Sequence, residues 1–180
     1  SEKIMFSKSY LLELQKLHSD KSRPDGFGGK VKGLGKFKKY MELWCPETFL
    51  DYGCGKGTIL VHLRDKYPNT KMYGYDPAIP MYATVPSLQF ECIFSNDVLE
   101  HIEPNFLKYV LEHINNTAEK YIWLRIDTRP ARKVLPDGRN AHLILESKDW
   151  WEEKVKQHID GTIVYSVLNK KGKLDIAIEK

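Results

Sequence analysis

The chain predicts a doubly wound α/β sheet, mostly parallel, that closes with a C-terminal antiparallel hairpin. Three observations carry this. Strand-length apolar runs alternate with stretches of helical spacing across 48–126, the pattern of a parallel sheet with crossover helices. A glycine-rich turn, Gly53-Cys54-Gly55-Lys56-Gly57, joins a strand-like run to a helix-like one, the place where open α/β sheets bind ligands. Near the end, runs 162–168 and 174–178 flank Asn169-Lys170-Lys171-Gly172-Lys173, which has the composition of a hairpin turn.

The elements follow in chain order. Tyr10, Leu11, Leu14 and Leu17 recur at helical spacing and predict a short amphipathic helix over 8–18. The Gly-, Pro-, Ser- and Asp-rich stretch 19–29 reads as a loop. Five lysines and three spaced apolar residues in 30–39 fit a solvated helix face, or a basic lid over an anionic substrate. Residues 1–46 are therefore expected as an N-terminal helical extension or lid, and 47–180 as the ligand-binding domain of a chain compact overall. Thr48-Phe49-Leu50-Asp51-Tyr52 reads as a buried strand. Ile59, Leu60 and Leu63 place a helix over 58–67, which Pro68-Asn69 stops. Residues 71–76 form a second strand and 91–95, led in by Phe90, a third. Phe106, Val110, Leu111 and Ile114 give a helix beginning at Pro104, a favourable first-turn residue. Residues 121–126 are another buried strand, and 147–158 a helix with Ser147 as its cap. Trp150 and Trp151 on that helix read as packing rather than as a stacking platform.

Composition bounds the function. A length of 180 residues supplies one domain. Apolar residues at 42% and charged residues at 29% are usual for a globular protein and exclude wholesale disorder. No run nears the roughly 18 apolar residues of a membrane helix, and no basic-then-apolar leader is visible. Cys45, Cys54 and Cys92 are odd in number and far apart. They fit neither a disulfide framework nor a zinc pattern, so a reducing cytoplasm is expected and no metal site is assigned. The net charge of +4, from 28 basic and 24 acidic residues, permits an anionic substrate without demanding nucleic acid.

The glycine-rich turn carries the most chemistry. Alternating glycines let the backbone pass close to a ligand at positive φ, and the following helix N-terminus offers unpaired N–H groups to an anion. Two nucleotide motifs fail. Gly55-Lys56 is followed by Gly57 and not by Ser or Thr, against a P-loop. Thr58 stands where the dinucleotide fingerprint needs its third glycine. Asp51, just before the turn, would repel a pyrophosphate and welcome an ammonium. Asp76 ends the next strand, where a carboxylate can take both ribose hydroxyls. A ligand with an amino-acid end and a ribose is S-adenosylmethionine.

Asp51-Tyr52-Gly53-Cys54-Gly55-Lys56-Gly57, Gly74-Tyr75-Asp76-Pro77 and Ser95-Asn96-Asp97-Val98-Leu99-Glu100-His101-Ile102 resemble the successive motifs of class I S-adenosylmethionine-dependent methyltransferases. The last is similar to the D-V-L-E-H stretch of the small-molecule-type branch. The resemblance covers 49–126 with specific motifs and implies a Rossmann-like sheet. It implies that Gly53, Cys54 and Gly55 lie along the methionine part and that Asp51 faces its ammonium. Asp76 would take the ribose, Pro77 would pack on the adenine, and Asn96, Asp97 and Val98 would border the methionyl and sulfonium region. One departure stands out. The stretch 77–89 holds three prolines and no helical pattern, so the usual helix there is expected to be lost and the edge strand short or absent. The residue that meets the adenine amine is accordingly unassigned.

Two segments are expected to overhang the ligand edge. Asp127-Thr128-Arg129-Pro130-Ala131-Arg132-Lys133 carries cations just past a buried strand, and Asp137-Gly138-Arg139-Asn140-Ala141-His142 is a turn. Arg129, Arg132 and Arg139 are candidates to hold a phosphate or carboxylate on the acceptor, with a solvated basic loop as the alternative. An oxygen acceptor also needs a base. His142 is the first candidate and His101 the second. The expected function is methyl transfer to a small acceptor, anionic if the arginines converge. The alternative is a non-catalytic nucleoside-binding module that keeps the same fold. A dinucleotide dehydrogenase is disfavoured by Thr58 and Asp51. No Asp/Asn-Pro-Pro-aromatic stretch follows the strand ending near Ser95, and no Pro-Cys pair is present, which lowers the prospect of a nucleic-acid acceptor without eliminating it. Oligomeric state is not assigned.

Overall fold

The computed structural model describes residues 7–19 and 33–180, with the backbone alone for 17–19. The loop 20–29 and the lysines Lys30 and Lys32 expected on a helix face lie outside the described residues. Two helices lead, α1 (Lys8–Ser19) and α2 (Gly35–Trp44). Then come β1 (Thr48–Tyr52), α3 (Thr58–Lys66), β2 (Lys71–Tyr75) and β3 (Phe90–Asn96). They are followed by α4 (Leu107–Thr117), β4 (Ala118–Asp127), α5 (Lys148–His158), β5 (Thr162–Leu168) and β6 (Lys173–Glu179).

The six strands form one sheet in the order β2-β1-β3-β4-β6-β5. β1 pairs in parallel with β2 and β3, and β3 with β4. β6 runs antiparallel to both β4 and β5, which gives the expected closing hairpin. Successive side chains on a strand point to opposite faces, and the sequence fills both. Phe49, Cys92, Phe94, Trp123 and Ala177 face α2 and α3, with Phe37, Met41, Trp44, Leu60 and Leu63 in the same cluster. Leu50, Ile93, Ile122, Leu124 and Ile176 face α4 and α5, meeting Val110, Leu111, Ile114, Trp151 and Val155. Apolar runs buried on both sides are what a parallel sheet between helical layers requires.

Local chemistry sets the element ends. Ser147 caps α5 by accepting a hydrogen bond from the Trp150 N–H at 3.2 Å. Pro104 opens a 3-10 turn, Pro104–Phe106, that runs into α4. Gly57 stands before α3 at φ 79°, a left-handed conformation that favours glycine. Between β2 and β3 the only regular element is a 3-10 turn, Pro80–Tyr82. No helix or strand was expected from that proline-rich stretch, and β2 is accordingly the edge of the sheet. Among the described residues no helix is long and apolar enough to cross a membrane.

Candidate functional site

The carboxyl ends of β1, β2 and β3 meet at one edge of the sheet. Gly53, Gly55 and Gly57 all adopt positive φ, at 82°, 54° and 79°. The turn is tied to the end of β2, because the Gly53 and Cys54 N–H groups both donate to the Tyr75 carbonyl, at 2.7 and 3.1 Å. A β-carbon at Gly53 would lie 2.3 Å from a Val98 methyl, and one at Gly57 would lie 2.6 Å from the Tyr82 hydroxyl. Val98 thus closes over the turn from β3, and Tyr82 from the proline-rich stretch.

Asp51, Gly53, Cys54, Gly55 and Asp76 come together here. Asp51 is buried, and its Oδ2 meets no donor. Burial, with the charge of Asp76 beside it, pushes its carboxyl up to about 8. An ammonium placed there would supply the missing donor and the missing charge. Asp76 is also buried, and each of its oxygens already accepts a backbone N–H, Gly55 to Oδ2 and Ala78 to Oδ1, both at 2.9 Å. A carboxylate has about four lone-pair sites, so it can brace the turn and still accept from a diol. The Cys54 thiol turns inward, since a β-carbon at Gly74 would lie 2.8 Å from its sulfur. Burial first, then Asp51 and Asp76, hold that thiol far above its usual range, which makes it packing and not a nucleophile. Pro77 is half-buried in the turn after β2.

The turn beyond β3 is a second centre. Asp97 takes positive φ at 55°, and its N–H donates to the Arg125 carbonyl at 2.8 Å. Its carboxylate pairs with Lys173 at 2.7 Å, and Lys173 also reaches Asp127 at 3.1 Å. Burial works against the Lys173 charge, but the two aspartates outweigh it and hold the ammonium above its usual range. The Asn96 Oδ1 is buried without a hydrogen-bond partner. Glu100 is fully buried on the 3-10 turn Leu99–His101. Its Oε1 accepts the Asp127 N–H at 3.2 Å, while Oε2 meets no donor. Burial, then Asp97, raises its carboxyl well above the usual range.

The two candidate bases prove to be neighbours. The rings of His101 and His142 meet edge to face, with centroids 4.7 Å apart. His101 Nδ1 lies 2.7 Å from the Ala141 carbonyl, and His142 Nδ1 bonds the Arg129 carbonyl. Each Nδ1 therefore carries a proton. Burial, then His142, drives His101 down to about 3, so it is neutral at physiological pH. α1 covers this centre. The Tyr10 hydroxyl donates to the His101 carbonyl, and Ser7 bonds Glu103 through N–H and hydroxyl at 2.8 Å.

The three arginines diverge in their commitments. Arg139 pairs with Asp137 at 2.7 Å and reaches Glu13 of α1 at 3.7 Å. Arg129 is half-exposed, lies 3.6 Å from Asp127 and drapes over Gly172. Arg132 is exposed. Sequence reasoning gave no role to Arg125, which is buried, pairs with Asp175 at 3.2 Å and donates to the Gly33 carbonyl. It pins the start of α2 to the sheet. Its signal in the sequence, one charge inside a buried strand, was present but pointed to no partner.

A glycine turn at positive φ, flanked by two buried carboxyl groups, thus lies at the switch edge of a doubly wound α/β sheet. The chain belongs to the methyltransferase domain family, whose model matches residues 17–165. Its fold is that of class I S-adenosylmethionine-dependent methyltransferases. It resembles the Burkholderia thailandensis 1,6-didemethyltoxoflavin-N1-methyltransferase, solved with 1,6-didemethyltoxoflavin and S-adenosylhomocysteine, at a TM-score of 0.71 and 13% identity over 100% of this chain and 92% of that one. An Aquifex aeolicus methyltransferase matches at 0.60 and 18% identity over 94% of this chain and 97% of that one. The chain spans little more than half of some larger relatives. For the Nostoc punctiforme O-methyltransferase the share is 55% of that protein and 81% of this chain, at 0.60 and 12% identity. No curated protein sequence matches the chain.

Proposed function

We propose that the protein transfers a methyl group from S-adenosylmethionine to a small molecule. The observation that carries this is the unpaired, buried Asp51 oxygen at the mouth of the positive-φ glycine turn. A buried carboxylate without a donor is costly unless a ligand supplies one. Asp51 would take the ammonium. The backbone at Gly53, Cys54 and Gly55 would line the methionine part. Asp76 would take the ribose and Pro77 the adenine face, while Asn96, Asp97 and Val98 would border the sulfonium region. When bound, S-adenosylmethionine supplies a methyl on a positive sulfur that an acceptor lone pair displaces in line. The protein's part is then mainly orientation and proximity.

The acceptor would lie beyond the same edge, under α1 and beside Glu100, His101 and His142. That cluster would manage the acceptor's proton, and Arg129 and Arg132 are the candidate contacts for an anionic group. A small acceptor is favoured because the Burkholderia relative binds 1,6-didemethyltoxoflavin and a Planctomyces limnophilus O-methyltransferase relative was solved with apigenin. The absence of a nucleic-acid methylation motif and the mild charge of +4 agree.

The test is methyl-labelled S-adenosylmethionine offered with separate pools of low-molecular-weight metabolites, RNA and DNA. Label should enter the metabolite pool, and Asp51→Asn should lower its incorporation at limiting cofactor. Label confined to RNA or DNA would contradict the small-molecule reading. Tight cofactor binding with no transfer to any pool would favour a nucleoside-binding module.

A further inference from the structure

We propose that Glu100, His101 and His142 form a site for one divalent first-row transition-metal ion, such as Mn2+, Co2+ or Zn2+. One ligating atom from each of the three residues lies within 4.8 Å of the other two. An ion at about 2.1 Å from nitrogen and oxygen ligands fits that span with side-chain movements of less than about one ångström.

Hydrogen bonding sets the donor atoms. Both imidazoles give their Nδ1–H to backbone carbonyls, Ala141 for His101 and Arg129 for His142. Each ring is thereby oriented from its Nδ1 side, the outer-shell arrangement that metal-binding histidines use. Glu100 is anchored through Oε1 on the Asp127 N–H, and its buried Oε2 meets no donor. Two imidazole nitrogens and a carboxyl oxygen are the ligand types that a borderline divalent ion takes.

Charge points the same way. Asp97, Glu100 and Asp127 face Lys173, which pairs with Asp97 and Asp127 at 2.7 and 3.1 Å. Arg129 also lies 3.6 Å from Asp127, so three carboxyl groups face two cations and a further cation is accommodated beside Glu100. The scaffold is fixed as well. Tyr10 holds the His101 carbonyl, and the His142 N–H donates to Asn140 Oδ1 at 2.9 Å. Imidazole ligands select borderline ions over Mg2+ and Ca2+, which take oxygen.

The site stands on its own geometry, while its role rests on the methyl-transfer reading. An ion there would bind an acceptor hydroxyl and lower its pKa, so that its proton passes to solvent water and the alkoxide or phenolate takes the methyl as S-adenosylhomocysteine leaves. That would give the two histidines a task as ligands and not as free bases.

The untagged full chain, stripped of metal, is titrated with Co2+ and separately with Mg2+, by calorimetry and visible absorption. One equivalent of Co2+ should bind with ligand-field absorption, at least about tenfold more tightly than Mg2+. His142→Ala and Glu100→Gln should each weaken Co2+ by at least about tenfold. S-Adenosylhomocysteine binding to His142→Ala should stay within about twofold of the parent, which shows that the fold is intact. No stoichiometric Co2+ binding, or an affinity unchanged in folded His142→Ala, overturns the site. Co2+ binding that survives while S-adenosylhomocysteine fails to bind the parent chain would sustain the site and overturn the methyl-transfer reading instead.

Discussion

Asp51, one residue before the end of β1, has one oxygen that no donor reaches and a carboxyl pushed up to about 8 by burial and by Asp76. The sign of its effect on stability follows from that direction. A carboxyl whose folded pKa lies above its unfolded value favours folding when protonated. Its cost therefore grows as pH rises from the ordinary carboxylate range, and is complete above about 8. Asp51→Asn removes that cost, so the ligand-free variant should melt at a higher temperature than the parent at about pH 8, with little difference in acid. A bound ammonium reverses the balance because it pairs with the charged form. S-Adenosylhomocysteine affinity should rise with pH toward about 8 in the parent and lose that dependence in Asp51→Asn. The variant's affinity should be at least about tenfold weaker, roughly 1.4 kcal/mol. Scanning and titration calorimetry across pH check both. A variant that melts earlier and binds as tightly would remove the ammonium role.

At the scale of elements, α2 shows how the sheet acquires its N-terminal cover. Phe37 is fully buried, and its ring centroid lies 4.5 Å from Phe94 and 5.5 Å from Trp123. Phe37→Ala should cost about 3–5 kcal/mol, the usual range for emptying such a site, measured by urea unfolding. A loss under about 1 kcal/mol would mean that α2 is peripheral. The sequence marked this region by its lysines. Phe37, Met41 and Trp44 are the stripe that buries α2, and the stripe runs past the end of the lysine cluster, so the helix face was legible and its partner was not. Strands β1 to β3 and helix α3 were legible because period and turn chemistry are local. The proline-rich stretch after Asp76 was legible as a missing helix, yet Tyr82 folding back beside Gly57 depends on tertiary packing. The histidines were legible as chemistry. Their joining with Glu100 was not, because His142 arrives from the loop after β4 and only the sheet brings the two loops together.

The described residues form a sheet between two helical layers, with the candidate site residues gathered at one edge. β6 enters antiparallel, which delivers Lys173 at its start to the same edge where the parallel strands end. α1 and the preceding Ser7 dock across that edge, where Ser7, Tyr10 and Glu13 meet Glu103, the His101 carbonyl and Arg139. That position places a helix over the proposed acceptor side. Isothermal titration of the full chain with S-adenosylhomocysteine and with NAD, alongside Gly55→Val, tests whether this edge is a methyl-donor cradle. Gly55 has φ 54°, where a branched side chain is strained. One equivalent of S-adenosylhomocysteine should bind the parent, NAD should not, and the folded Gly55→Val should bind at least about tenfold more weakly. Binding of NAD in place of S-adenosylhomocysteine, or an unchanged affinity in the folded variant, would contradict it.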